Sequence, residues 1–257
     1  MPARQNWTRE ETLKAFALYF ILPSGKHDKK NPDIVALANE LGRTPSSVVL
    51  KLGNIKANDP MRKGKGLAHG SKLDAAVWDE YRMVGDELTA EAMGLLLDSM
   101  DRSNNLGVTI EYLSRELPVG KDRRVVATTR ANQSYFRHAL LENYGRRCCL
   151  TGLGLEPLLV ANHIKPWRDS DPATERLSPE NDLLLNALHD RAFDQGLITI
   201  DHNLRVVVSN TVPRRLSEGS PEYDYLWAFQ GRQIAVPGPF RPRREFIDYH
   251  NDVVFQR

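Results

Sequence analysis

Apolar residues at helical intervals dominate the first hundred positions, and short apolar runs replace them further along the chain. Leu13, Phe16, Ala17 and Phe20 follow Thr8 and Glu11. Those two form a capping-box pattern, in which each side chain satisfies a backbone N–H left free at a helix start. Pro23-Ser24-Gly25 ends this helix. Asn31-Pro32 opens a second one, since the asparagine can cap and the proline lacks an N–H that would be unpaired there anyway. Ile34, Leu37, Ala38 and Leu41 form its apolar face, and Gly42 suits a left-handed turn. Thr44-Pro45 starts a third helix with Val48, Val49 and Leu52 turned inward. Two short helices around a glycine turn make a helix-turn-helix candidate. A Gly- and Lys-rich loop follows, and helical patterns return over 72–84, 89–100 and 110–116. Residues 118–130 read as a basic linker, so the chain divides into a helical, DNA-binding region at 1–120 and a second domain at 121–257.

In the second domain Phe136, Ala139, Leu140 and Tyr144 mark a helix. Apolar runs at 149–151, 158–163 and 197–208 have strand character, and 183–193 reads as a strand or loop entering a helix. Residues 213–244 are irregular and rich in Pro and Gly, and FIDYHNDVVFQR reads as a last short helix. The expected class is α+β.

Composition changes this picture little: 41% hydrophobic and 26% charged residues suit a globular protein with a true core. No run approaches the ~18 apolar residues of a membrane span, so no membrane partner is expected. The N-terminus lacks the apolar centre of a signal peptide, which points to the cytoplasm. Cys148 and Cys149 are adjacent, which disfavours a structural disulfide, and no four-cysteine zinc site can form. Net charge is only +2, but the basic residues cluster. Lys51, Lys56, Arg62, Lys63, Lys65 and Lys72 form one group, and Lys121, Arg123, Arg124, Arg130, Arg137, Arg146 and Arg147 another. Both suit a polyanion. On the helix-turn-helix reading Ser46 and Ser47 face base edges, while Lys51, Lys63 and Lys65 hold phosphates.

The chemistry concentrates in CCLTGLGLEPLLVANHIKPWRDSDPATERLSPENDLLLNALHDRAFDQGLITI. His163 ends a strand-like run before a polar loop, where imidazole can act as a general base near neutral pH. Asn181 follows 18 residues later and His189 eight after that. A loop asparagine can tie two strands through both faces of its amide, and a neutral helix histidine can hold a metal.

This stretch resembles the HNH endonucleases. The likeness rests on ANHIKPW and ERLSPENDLLLNALHDRAFDQGLI, with CCLTG and TRANQSYFR upstream. NWTREE, GRTPSSVVLKLGN and YHNDVVF are similar to a branch of predicted restriction endonucleases. The resemblance implies a ββα-metal domain with its core at 149–200, one divalent ion (Mg²⁺ or Mn²⁺), and double-stranded DNA as substrate. His163 is then the base, Asn181 the loop pin, and His189 a metal ligand. Asn162 stands where relatives carry a charged or imidazole ligand. Lys165 and Arg168, just past the base, would steady the phosphate. Asp190 and Asp194 could complete the metal shell, though Asp194 is assigned to capping the turn before Gly196. Because one centre cuts one strand, the active species is expected to be a homodimer. The neutral Asn162 leaves a second reading open: a DNA-binding regulator with an inactive HNH fold.

Overall fold

A computed structural model of the chain describes residues 6–61, 71–103, 121–171, 174–176, 178–212 and 219–257. The short helix expected at 110–116 and the basic residues Arg62, Lys63 and Lys65 lie outside these. The chain separates into two compact units, Met1–His138 and Ala139–Arg257. The fold is α+β, with helices throughout and two small antiparallel sheets in the second unit.

In the first unit, α1 (Arg9–Ile21) begins with the expected capping box: Thr8 N donates to Glu11 Oε2 at 2.8 Å and Glu11 N to Thr8 Oγ1 at 3.2 Å. Every residue from Thr12 to Ile21 is buried, so α1 is a central helix and not one with a single apolar stripe. Lys14 tolerates that position because its ammonium pairs with Glu10 and Glu40 at 2.9 and 3.0 Å. Helices α2 (Pro32–Glu40) and α3 (Pro45–Ala57) carry the expected Asn31 and Thr44 caps and meet at Gly42, whose φ of +62° is the left-handed turn.

The two helical stretches expected after residue 71 are present: α4 (Lys72–Ser103) is two helices meeting at a kink at Gly85, whose φ of +24° and ψ of −90° are non-helical. Phe16, Phe20, Trp78, Tyr81 and Tyr135 pack together, with the Phe20 and Tyr135 rings stacked at 4.3 Å. Beneath them the buried Asp59 carboxylate accepts from Tyr19 at 2.5 Å and Tyr135 at 2.6 Å. The linker expected at 118–130 is helical from residue 121, as the start of α5 (Lys121–Asn143). Ala127, Ala131 and Tyr135 recur every four residues and bury, which continues the stripe backward past the basic cluster.

Lys51 corrects another expectation. It is only 2% exposed, its ammonium paired with the buried Asp74 and lying over the Trp7 ring. Burial pushes its pKa down, against the pull of Asp74. Turned inward with Val48, Leu52 and Ile55, it cannot hold a phosphate.

The second unit is built around β1 (Leu159–His163) and β2 (Asp182–Asn186), antiparallel, with the register running from Leu159↔Asn186 to His163↔Asp182. Helix α6 (Ala187–Asp194) follows β2 without a loop because Asn186 caps it, accepting from Leu188 N and His189 N. The hairpin β3 (Ile198–Ile200) and β4 (Val206–Val208) comes next. Two short helices, α7 (Pro221–Tyr225) and α8 (Arg244–Tyr249), precede a π-helical turn over His250–Val254. The C-terminal segment returns to the end of α6, where Gln256 N donates to Gly196 O at 3.0 Å. At Gly196, φ +66°, a Cβ would stand 2.1 Å from Val254 O, so only glycine fits. Cys148 and Cys149 are buried free thiols. No helix among the described residues is long and apolar enough to cross a membrane.

The Lys51–Asp74 pair gives a stability test. Lys51→Ala leaves a buried carboxylate uncompensated and is expected to cost about 3–5 kcal/mol in denaturant unfolding. A loss below ~1 kcal/mol would show that the pair is not buried in solution.

Candidate functional site

His163 occupies the last rung of the β1–β2 ladder, and the loop beyond it folds back over its ring. Nε2 lies 2.9 Å from Arg176 O. A carbonyl can only accept, so the proton sits on Nε2 and Nδ1 keeps its lone pair. Nδ1 faces Asp182 Oδ1 at 3.7 Å, too far for a hydrogen bond. Burial lowers the imidazole pKa, opposed in part by the Arg176 carbonyl, and this keeps the ring neutral near pH 7. Trp167, 41% exposed, stands edge-on to the ring at 5.3 Å.

The loop is held by Asn181, which is 0% exposed. Its Oδ1 accepts from Lys165 N at 2.8 Å. Its Nδ2 approaches Lys165 O and Ser170 Oγ, each at 3.2 Å, and Glu175 O at 3.4 Å. Ile164 N donates to Asn181 O at 2.7 Å. One amide thus bridges both ends of the loop, and the loop carries the Arg176 carbonyl that sets His163.

Asn162, one residue earlier, points toward α6. It is 5% exposed, and Nδ2 donates to Asp190 Oδ1 at 2.7 Å and Asp194 Oδ1 at 2.8 Å. The two carboxylates are four residues apart on one helix face, where like charges repel, and a single NH₂ joins them. Burial raises the Asp190 pKa, eased by the Asn162 bond and reinforced by the charge of Asp194. The assignment of Asp194 as a turn cap is therefore corrected: the C-cap is Gln195, and Asp194 belongs to this bracket. Asn162 Oδ1 is buried with no hydrogen-bond partner.

His189 sits at the start of α6 with both ring nitrogens near acceptors. Nε2 donates to Tyr225 O at 2.7 Å, Nδ1 is 3.1 Å from Asn186 Oδ1, and Phe229 meets the ring edge at 4.9 Å. Burial lowers its pKa. Lys165 is likewise engaged, bonded to Glu175 at 2.5 Å. The side chain of Arg168 is 84% exposed, pairs with Asp169 at 3.3 Å, and can reach an anion. The structure thus gathers His163, Asn162, Asn181 and His189 around one β–loop–β–α element, with Arg168 on its surface. No group of three or more His, Cys, Asp or Glu side chains in metal-holding geometry occurs among the described residues.

The HNH endonuclease family model matches residues 148–201. This segment is similar to the HNH endonucleases. The match takes in both strands, the pinned loop and α6 of the HNH segment, about a fifth of the chain. No curated protein matches the chain.

Two residues of the HNH segment's surroundings escaped the sequence reading. Tyr225 contributes a backbone carbonyl from an irregular stretch, which no side-chain pattern reveals. Asp182 was readable as the residue after Asn181, opposite His163. It is 0% exposed, and neither carboxylate oxygen has a hydrogen-bond partner. Burial pushes its pKa well above the ordinary carboxylate range. With a raised folded-state pKa, its stability contribution is complete below the unfolded value near 3.8 and is lost as pH rises through the folded value. Asp182→Asn cannot ionise, so its unfolding free energy relative to the parent is expected to grow as pH rises from about 4 to 8. Denaturant unfolding across that range checks it, and a constant difference would place Asp182 in water.

Proposed function

We propose that the second unit is a metal-dependent nuclease that hydrolyses phosphodiester bonds in double-stranded DNA, with His163 as general base. The observation that carries this is the fixed tautomer of His163: the Arg176 carbonyl holds the proton on Nε2, so Nδ1 is the nitrogen able to accept one. A water O–H bond breaks, its proton passes to Nδ1, and the oxygen attacks phosphorus while one P–O bond to the leaving group breaks. Asn181 keeps the loop, and so the carbonyl, in place. Arg168 supplies an exposed guanidinium for a phosphate oxygen.

The residues suit a hard divalent cation, though not through the expected pair. His189 is turned to Tyr225, whereas the carboxylates of Asp190 and Asp194 converge on the Asn162 NH₂, and Oδ1 of the same amide is buried without a partner. Such oxygen donors favour Mg²⁺ or Mn²⁺. A cation held there would supply positive charge to the phosphate and leaving oxygen. Two copies on one site would cut both strands, which fits a homodimer in a restriction role. In the first unit Ser46 is exposed and Lys56 half-buried, and Lys63 and Lys65, outside the described residues, would supply phosphate contacts. The bond from His189 to Tyr225 favours the alternative, a DNA-binding protein with an inactive HNH fold.

Nicking of supercoiled plasmid separates the two. His163→Ala is expected to slow nicking roughly 10²–10⁴-fold while DNA binding persists. A folded variant that nicks at the parent rate removes His163 as the base. A parent protein inert in both Mg²⁺ and Mn²⁺ favours the binding protein. Asp194→Asn should raise the Mn²⁺ concentration needed for half-maximal nicking by at least tenfold, and full cleavage in excess chelator would refute metal dependence. Methylated and unmethylated plasmids compared in the same assay test the restriction role.

A further inference from the structure

Beside α6 the second unit holds a cavity of about 450 Å³ that the chemistry above does not use. Its volume falls within the range of small-molecule sites, roughly 300–1,000 Å³. Val208 of β4 gives an aliphatic wall, and Trp227 and Phe255 give two aromatic ones. Asn210 and Gln230 bring amides, and Arg257 a guanidinium.

The walls are tied in place. Gln230 Oε1 accepts from Val208 N at 2.7 Å, which leaves the Gln230 NH₂ as the end of that amide available to a ligand. Gly231 N donates to Val206 O at 2.8 Å, and Gln256 N to Gly196 O at 3.0 Å. The guanidinium of Arg257 spends one nitrogen on Asp252 and Asn251 O, and the side chain stays 72% exposed. The chemistry offered is two aromatic rings in a half-polar cleft, the Gln230 NH₂ able to meet the edge of a heterocycle, and a cation at the rim. That combination suits a nucleobase with its phosphate.

The cavity also adjoins the nuclease centre through one short segment. Tyr225 O accepts from His189 Nε2 at 2.7 Å and Phe229 packs on the His189 ring, while Trp227 and Gln230 of the same segment line the cavity. A nucleotide seated there would belong to a strand whose backbone passes α6.

We propose that this cavity binds one unpaired nucleotide of the DNA, its base stacked against Trp227 and Phe255 and its phosphate at Arg257. The proposal takes its polymer from the nuclease reading, but its test does not need cleavage. The full chain is titrated in chelator with two labelled duplexes that differ by one central bulged nucleotide, read by fluorescence anisotropy. Extrusion from a paired duplex costs unstacking and unpairing, which a bulge avoids. The parent is expected to bind the bulged duplex at least tenfold tighter. Trp227→Ala should reduce that preference to about twofold or less and leave the paired duplex unchanged. Asn210→Asp, an exposed position where a new carboxylate would face the phosphate-bearing ligand, should do the same and guards against a misfolded Trp227→Ala. Equal affinity of the parent for both duplexes, or an undiminished preference in Asn210→Asp, overturns the proposal. Preference without nicking in metal would keep the cavity and remove the nuclease reading; nicking without preference would do the reverse.

Discussion

One buried carboxamide organises the loop between the paired strands of the second unit. Asn181 reaches the backbone on both sides of Lys165 and also Ser170 and Glu175, closing the loop between β1 and β2 with a single side chain. A loop that turns inward carries backbone groups that water cannot satisfy, and each left unpaired would cost ~1–3 kcal/mol. Asn181 meets several of them at once. The Arg176 carbonyl then sits over His163 and decides which ring nitrogen can take a proton. An aspartate here could accept but not donate, and a leucine could do neither.

The other side of β1 uses an amide in a different way. Asn162 donates both of its protons, and Asp190 and Asp194 need those donors because they share a helix face. A charged residue at 162 would change this balance: an added carboxylate would crowd three negative groups, whereas the neutral amide holds two together without neutralising them. The neutral amide at 162 thus keeps the two carboxylates close together.

The order His163, Asn181, His189 and the β–loop–β–α frame were legible because they depend on local spacing. The capping box at Thr8, the Asn31 and Thr44 caps and the Gly42 turn were legible for the same reason. What failed involved partners distant in sequence. The carbonyl facing His189 comes 36 residues later, from Tyr225 in an irregular stretch. Lys51 was read by its charge, although Val48, Leu52 and Ile55 place it on the buried face and Asp74 waits there. The basic run at 121–130 looked like a linker because its charges masked the four-residue spacing of Ala127 and Ala131. Asp182 and Asp194 had visible positions, but their roles depend on burial and on cross-element contacts that spacing does not encode.

The contact between the C-terminal segment and Gly196 bears on when the second unit is completed during synthesis. β1, β2 and α6 emerge from the ribosome before the C-terminal segment and pair locally, but the exit of α6 is covered by His250, Val254 and Gln256, the last sixty residues behind Gly196. Until that stretch has been synthesised, the turn at Gly196 lacks its cover and the stacked pair of Phe193 and His250 cannot form. A nascent chain ending before this stretch would therefore carry His163, Asn181 and His189 while the end of α6 still lacks its C-terminal cover.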